Sequence, residues 1–301
     1  MIGKALPKWC WAYLQTCPPS GHGIHKWLAG AAIRVLKYVD ADETTQLLNL
    51  AARGGTATTQ QLREIRDVVE WAAHLLAKGV EYREEPKPYL PANVELIQEI
   101  EVQGDGLDEL SANTPTKPLS DTEQLIDVLF PLDCLLCVGC APTDKITGPR
   151  QEMRGGLATQ QYIVPSPMSA VTGLNQDNEA SERCLDNTGP RRFLITEFDF
   201  GPDTLDFQAN LIWHLKQATG YSLTLVLFSG SKSLHAWWYV NGMSEAPADD
   251  SSLFHFFRYA TRLGADSRLW TRSQFVRMPG GWNYKTQRRQ EVYYLDLKTI
   301  S

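Results

Sequence analysis

The spacing of apolar residues changes along the chain and divides it into stretches. From Ile24 the positions Ile24, Trp27, Leu28, Ala31, Val35, Leu36 and Val39 follow the i, i+3, i+4, i+7 spacing of one helix face, which predicts an amphipathic helix over 24–39. A second helix is predicted over Asp42–Arg53, closed by Gly54-Gly55. A third spans Thr59–Lys78, with Leu62, Ile65, Val69, Ala72 and Leu76 on one stripe and Gly79 as its stop. Together they predict a small helical accessory module, residues 1–82, with Trp71 in its core. Pro86, Pro88 and Pro91 cannot continue a helix, so 83–95 reads as a semi-rigid linker.

Residues 96–301 read as the main domain. Short helices are expected near 94–101 and 121–130, separated by a loose Gly/Asp/Ser/Thr/Pro region, Gln103–Pro118. Cys134–Val138 and Tyr162–Val164 look like short buried strands of an additional α/β unit, and 142–160 shows no usable periodicity. The last third is clearer. Phe193–Phe200 is β-rich, Thr204–Thr219 has helical spacing ending at Gly220, and Ser222–Phe228 is again a strand. The loop Ser229–Ser233 leads into strand Leu234–Val240. Helix Ser251–Leu263 follows, stopped by Gly264, and then Gln274–Arg277 and a last strand, Val292–Leu297. The class is therefore α+β. The order β-α-β-β-α-β is that of ferredoxin-like and RNA-recognition-like domains, in which the first and third strands are central antiparallel neighbours. Glu197, Asp199, Ser233 and His235 should then meet, each pair sharing a strand face through its i, i+2 spacing.

Composition narrows the setting. With 43% apolar and 21% charged residues the chain is ordinary globular material. The sequence shows neither a run of eighteen apolar residues nor a secretory signal, so no membrane partner is expected. Six cysteines then read as reduced thiols in the cytoplasm rather than a disulfide framework. The net charge of −6 hides an uneven spread: residues 91–180 hold 4 basic and 14 acidic side chains, whereas 258–289 hold eight basic residues and the single acid Asp266. A local basic surface attracts phosphates whatever the overall sign, although a solvated charged face would read the same way.

Two carboxylates on one strand face repel unless a cation or protons compensate. Hard divalent ions such as Mg²⁺ or Mn²⁺ take oxygen ligands, and those serving phosphoryl chemistry use one or two carboxylates plus substrate phosphates. Glu197-Phe198-Asp199 fits that description, as would a solvent-facing pair. In Ser229-Gly230-Ser231-Lys232-Ser233-Leu234-His235, small residues let backbone N–H groups approach a triphosphate, Lys232 supplies a point charge, and His235 can donate to a phosphate oxygen. It is not a Walker A loop, and a plain hairpin turn is the competing reading. Asp266 would supply a third carboxylate for a two-metal site, with Asp296 as its rival, and Arg277 could clamp phosphate in a fork.

At these blocks the sequence resembles the archaeo-eukaryotic primase superfamily, in particular primase-polymerases of plasmids, phages and other mobile elements. The family pattern is an acid-x-acid strand, a Ser-x-His strand start after a Gly/Ser/Lys loop, a later aspartate and an Arg-x-Pro-Gly segment. Here these are Glu197-Phe198-Asp199, Ser233-Leu234-His235, Asp266 and Arg277-Met278-Pro279-Gly280. The Ser229–His235 loop also looks like that of the polymerase domains of bacterial end-joining ligases. The resemblance covers Arg191–Lys285; residues 24–78 only loosely resemble accessory helices of mobile-element primases.

The resemblance implies a template-dependent DNA primase or polymerase on an RNA-recognition-like palm. Glu197, Asp199 and Asp266 would bind two Mg²⁺ or Mn²⁺ ions and act with His235. Ser229, Ser231, Lys232, Ser233, His235 and Arg277 would hold a dNTP or NTP. Arg262, Arg268, Arg272, Lys285, Arg288 and Arg289 would hold a single-stranded DNA template, with any helicase encoded separately. Glu197 stands where the family has aspartate, which moves a metal about one methylene outward. A non-catalytic nucleic-acid-binding protein on the same sheet is the alternative.

Other residues have simpler readings. Cys134, Cys137 and Cys140, with Cys184, invite a metal or iron–sulfur reading, but positions three apart on a strand face opposite sides, which favours buried small hydrophobes. Cys10, Cys17, His22 and His25 have a spacing wider than the usual zinc motif. Trp237, Trp238 and Tyr239 either stack on template bases or fill the core. His214 and His255 read as structural.

Overall fold

The computed structural model describes residues 6–17, 24–54, 57–78, 89–101, 106–175, 177–241, 243 and 252–300, apart from the side chains at 9, 26 and 101. They belong to two compact units, Met1–Glu85 and Pro86–Ser301.

The first unit is helical: α1 (Lys8–Leu14), α2 (Ile24–Val35), α3 (Ala41–Gly54) and α4 (Thr59–Ala77). Thr58 and Gln61 form a reciprocal capping box, with Gln61 N donating to Thr58 Oγ1 at 3.3 Å and Thr58 N to Gln61 Oε1 at 2.9 Å, which starts α4. Leu28, Ala31, Leu48, Ile65, Val69 and Ala72 are among the buried residues of its core. Trp71, expected in that core, is 47% exposed, because it lies off the Ile65-Val69-Ala72 stripe that α4 buries.

The second unit is mixed α+β with antiparallel sheets. Its helices are α5 (Val94–Glu101), α6 (Gly106–Ala112), α7 (Thr122–Leu129), α8 (Leu205–Thr219) and α9 (Ser252–Arg262). Its strands are β1 (Leu135–Gly139), β2 (Ile146–Pro149), β3 (Tyr162–Ile163), β4 (Gly173–Leu174), β5 (Ala180–Ser181), β6 (Phe193–Phe198), β7 (Leu223–Phe228), β8 (Leu234–Tyr239), β9 (Val276–Arg277), β10 (Trp282–Asn283), β11 (Arg288–Arg289) and β12 (Val292–Leu295). They form two four-stranded sheets, β2-β1-β3-β9 and β12-β7-β8-β6, and two small hairpins, β4-β5 and β10-β11.

Two expectations are corrected. The region Gln103–Pro118 is not wholly loose, since it contains α6. That helix is capped from outside its own sequence: Gly106 N donates to Asn210 Oδ1 at 2.8 Å and Leu107 N to Asp206 Oδ1 at 3.1 Å, both on α8. The stretch 142–160, unassigned from sequence, contains β2. Within the expected linker, Leu90 N donates to Thr261 Oγ1 and Asn93 N to Arg262 O, at 2.9 and 2.8 Å, while 83–88 lie outside the described residues.

The second correction concerns strand order. Strand β6 pairs antiparallel with β8 as expected, with Glu197 opposite His235, but it stands at the sheet edge rather than at the centre. The last strand, β12, joins β7 on the other side. The outer edge of β6 is already used: Phe193 N donates to Pro165 O at 3.2 Å, and Glu197 O accepts from Asp266 N at 3.0 Å. Tertiary backbone contacts thus take the place where β12 was expected, and one of them belongs to a candidate site residue.

The two tryptophans of β8 alternate across the sheet and both are fully buried. Trp237 meets Phe130 and Phe193 edge-on, whereas Trp238 meets Phe256 of α9 and donates its indole N–H to Thr196 Oγ1 at 3.0 Å. They are core residues, and base stacking by them is excluded in this arrangement. Tyr239 is half-buried.

Candidate active site

The site lies at the end of β6 and the start of β8, where register alone sets Glu197 across from His235. Ser233 Oγ donates to Glu197 Oε1 at 2.9 Å, and His235 Nε2 lies 3.4 Å from the same oxygen and 3.4 Å from Ser233 Oγ. His235 is buried, and its Nδ1 has no hydrogen-bond partner among the described residues. Burial by itself would push the Glu197 carboxyl up. The charge and hydrogen bond of His235, the Ser233 hydroxyl and the charge of Arg277 outweigh it and hold Glu197 at about 2, so it is ionised at neutral pH. Arg277 reaches this point from β9 of the other sheet, with its guanidinium 4.9 Å from the Tyr162 ring centroid and Nη1 unpartnered.

The other carboxylates are close in the chain path but turned to their own cations. Asp199 follows β6 and pairs with Lys232 at 2.8 Å; Asp266 pairs with Arg268 at 2.6 Å and also caps the turn Ser267–Trp270. Those contacts raise both cations' pKa values, first through the hydrogen bond to the carboxylate and then through its charge. The structure therefore brings Glu197, Asp199, Ser233, His235, Asp266 and Arg277 to one corner. Asp296, the rival third acid, is elsewhere: its N–H donates to Thr224 O on the far side of the sheet. Among the described residues no three His, Cys, Asp or Glu side chains are grouped to hold a metal ion. Glu197, Asp199 and Asp266 are all carboxylates, the donor type that hard divalent cations take. Lys232 and Arg268, 56% and 80% exposed, are long side chains in solvent-screened ion pairs, which leaves them free to exchange partners.

The loop before β8 is built differently from the sequence expectation. Ser229 is buried, and its Oγ accepts from the N–H groups of Ser231, Lys232 and Ser233 at 3.3, 3.3 and 3.1 Å. The amides expected to cradle phosphate thus converge on a hydroxyl supplied by the loop itself. Gly230 takes φ +76°, the left-handed conformation glycine allows at no steric cost. Sequence reasoning missed Gln208, a fully buried residue of α8. Its Nε2 donates to Lys232 O at 2.9 Å, Gly201 O at 3.1 Å and Thr204 Oγ1 at 3.0 Å, and its Oε1 accepts from Leu234 N at 2.8 Å. Its amide joins the segment after Asp199 to the loop; a glutamine amid apolar helix positions was the available signal.

The six expected nucleic-acid contacts stand in different surroundings. Arg268 stands at the acidic corner, and Lys285, Arg288 and Arg289 lie on or beside the β10-β11 hairpin, exposed. Arg272 instead donates to Thr188 O and Leu185 O and lines a separate cavity with Ser169 and Arg191, and Arg262 ends α9.

The remaining cysteines and histidines occupy ordinary places. Burial pushes Cys134 up to about 11 and raises Cys137, while Cys184 Sγ lies 3.2 Å from Asn187 Oδ1. Cys140 is half-buried beside Gln160. Cys10 is buried, Cys17 half-buried, and His25 pairs with Glu64 at 3.1 Å; His22 lies outside the described residues. His214 Nε2 is 2.7 Å from the Tyr259 hydroxyl, and His255 is exposed.

Comparison with known proteins finds no matching family model, no similar curated protein and no similar solved structure. No helix among the described residues is long and apolar enough to cross a membrane.

Proposed function

We propose that the Pro86–Ser301 unit is a template-dependent nucleotidyltransferase, a primase-polymerase whose palm is the antiparallel β12-β7-β8-β6 sheet, that makes or extends primers on single-stranded DNA. One observation supports this above the rest: the Asp266 N–H to Glu197 O bond of 3.0 Å places the third acid beside the first, although 69 positions separate them. Glu197, Asp199 and Asp266 would hold Mg²⁺ or Mn²⁺, which when bound supplies neutralisation of charge on the phosphoryl group and activation of the attacking 3′-oxygen.

The chain's own groups do the rest. Glu197 is kept ionised by His235, Ser233 and Arg277. Ser233, just before β8, and His235 on β8 face Glu197 and would donate to phosphate oxygens of a dNTP or NTP. Arg277, with an unpartnered Nη1, would bind phosphate through its fork. Lys232 and Arg268 would leave their carboxylates and turn to phosphates as the nucleotide arrives.

The test is primer synthesis and extension on a single-stranded template with Mg²⁺ or Mn²⁺, comparing dNTPs with NTPs. Product is expected from the intact chain and not from Asp199→Ala. Absence of any dinucleotide or extended primer under both metals defeats the proposal.

The pairing of Asp199 and Asp266 with basic residues favours a second reading, a nucleic-acid-binding protein without catalysis. Calorimetric titration of Mn²⁺ with nucleotide present separates the two, since the second reading predicts no metal binding.

A further inference from the structure

The segment Trp282–Arg289 is a short hairpin, with Trp282 opposite Arg289 and Asn283 opposite Arg288, closed by Gln287 N donating to Asn283 O at 2.9 Å. We propose that this hairpin is a clasp for single-stranded nucleic acid, with Lys285 and Arg288 on phosphates and the Tyr284 ring against a base. The inference rests on the reading above and names the part of the protein that grips the template.

Charge is the first support. The hairpin contains three cations and no acid, and the acid nearest in sequence, Glu291, is two residues beyond Arg289. Lys285 and Arg288 are exposed, and neither side chain has a hydrogen bond or ion pair among the described residues. Three other basic side chains of the region are engaged: Arg289 on Gly280 O at 3.3 and 3.1 Å, Arg268 on Asp266, and Arg272 on Leu185 O and Thr188 O.

The aromatic ring is the second. Tyr284 is 44% exposed, yet its hydroxyl is held on Thr159 O at 2.7 Å, so an open ring is kept in one orientation. Cations interleaved with a fixed aromatic surface are what single-strand binders use, whereas a duplex keeps its base faces stacked away from such a ring.

The scaffold is the third. Tyr284 N donates to Gln161 Oε1 at 3.1 Å and Trp282 N to Gln160 O at 3.2 Å on one side. On the other, Asn283 Nδ2 donates to Ser229 O at 2.8 Å and Thr286 Oγ1 to Gly230 O at 2.6 Å. A hairpin braced at both flanks loses little conformational freedom when it binds.

The experiment is fluorescence anisotropy of the full chain with labelled oligo(dT), oligo(rU) and a DNA duplex, in EDTA without nucleotide, over a range of salt. Each phosphate contact to a single strand contributes about 0.7 to the salt slope, so Lys285→Ala with Arg288→Ala should lower the slope by about 1.4 and weaken binding about 25-fold near 0.1 M salt. Tyr284→Leu should weaken single-strand binding about tenfold and leave duplex binding unchanged, while Tyr284→Phe, which keeps the ring but loses its anchor on Thr159 O, should fall between that variant and the native chain. Comparison of oligo(dT) with oligo(rU) separates DNA from RNA as the source of the strand. If the native chain binds oligonucleotide and the double variant binds equally well, the clasp is wrong and the polymerase reading stands. If Tyr284→Leu has no effect, or duplex binds as tightly as single strand, the clasp is likewise refuted. If the native chain binds no oligonucleotide at all, both fail together.

Discussion

Glu197→Gln should destabilise the β6–β8 pair at neutral pH and have almost no effect near pH 2. Two opposing effects meet at this carboxyl. Burial disfavours its charge, and a buried acid without partners would be more stable as glutamine. Its partners win: the group is held at about 2 against an ordinary 4.5. At about 1.4 kcal/mol per pH unit, that is about 3 kcal/mol favouring the ionised form in the folded state. The side chain is 23% exposed, so solvent screening is modest.

The sign follows from a folded pKa below the unfolded one. The stabilisation is complete above about pH 4.5 and is lost as pH falls through 2. Hydrogen-exchange mass spectrometry on peptides covering β6 and β8 measures it without interference from the N-terminal unit. Native chain and Glu197→Gln, compared at equal pH, should differ by about 3 kcal/mol of opening free energy at pH 7, with the gap closing between pH 4.5 and 2. A pH-independent gap, or greater protection in the glutamine variant at pH 7, refutes the reasoning.

Gln208→Leu leaves Lys232 O and Leu234 N without their partner, while Gly201 O keeps Thr204; a loss of about 3 kcal/mol, or about 6–12 °C in the second unit's melting by calorimetry, is expected. Gly264→Ala places a Cβ 2.5 Å from the Phe200 ring at φ +94°, so it should cost about 1–3 kcal/mol in urea titration, and adding Phe200→Leu should recover only the steric share. With its thiol at about 11, Cys134 should be only about a thousandth thiolate at pH 8 and react with a thiol reagent at full rate only after unfolding. Rapid labelling in the native chain would contradict the burial described for it.

The legible parts of this fold are those in which local pattern and tertiary role agree. Strands β6, β7 and β8 read directly from their continuous apolar runs, and α8 from its period and from Gly220, which takes the left-handed conformation at its end. Their pairing then put Glu197 beside His235. Helix α6 was hidden because Asp206 and Asn210, about a hundred positions away, supply its cap. Strands β10 and β11 have two residues each, too few for any period; β3 was expected at Tyr162–Val164, but its pairing with β9, the route by which Arg277 reaches Glu197, was not readable. The misplaced edge of β6 has a similar origin: what decides it is a backbone bond from Asp266, which no side-chain pattern encodes.

The carbonyls of Ser229 and Gly230 are both taken by side chains of the segment 282–289. A loop pinned at two consecutive carbonyls cannot shift without dragging its fastener along. The spacing between the backbones at Gly230 and Thr286 is therefore a fixed gauge, like the gap between the jaws of a caliper. An insertion of one residue in either segment would reset that gauge by about 3.3 Å.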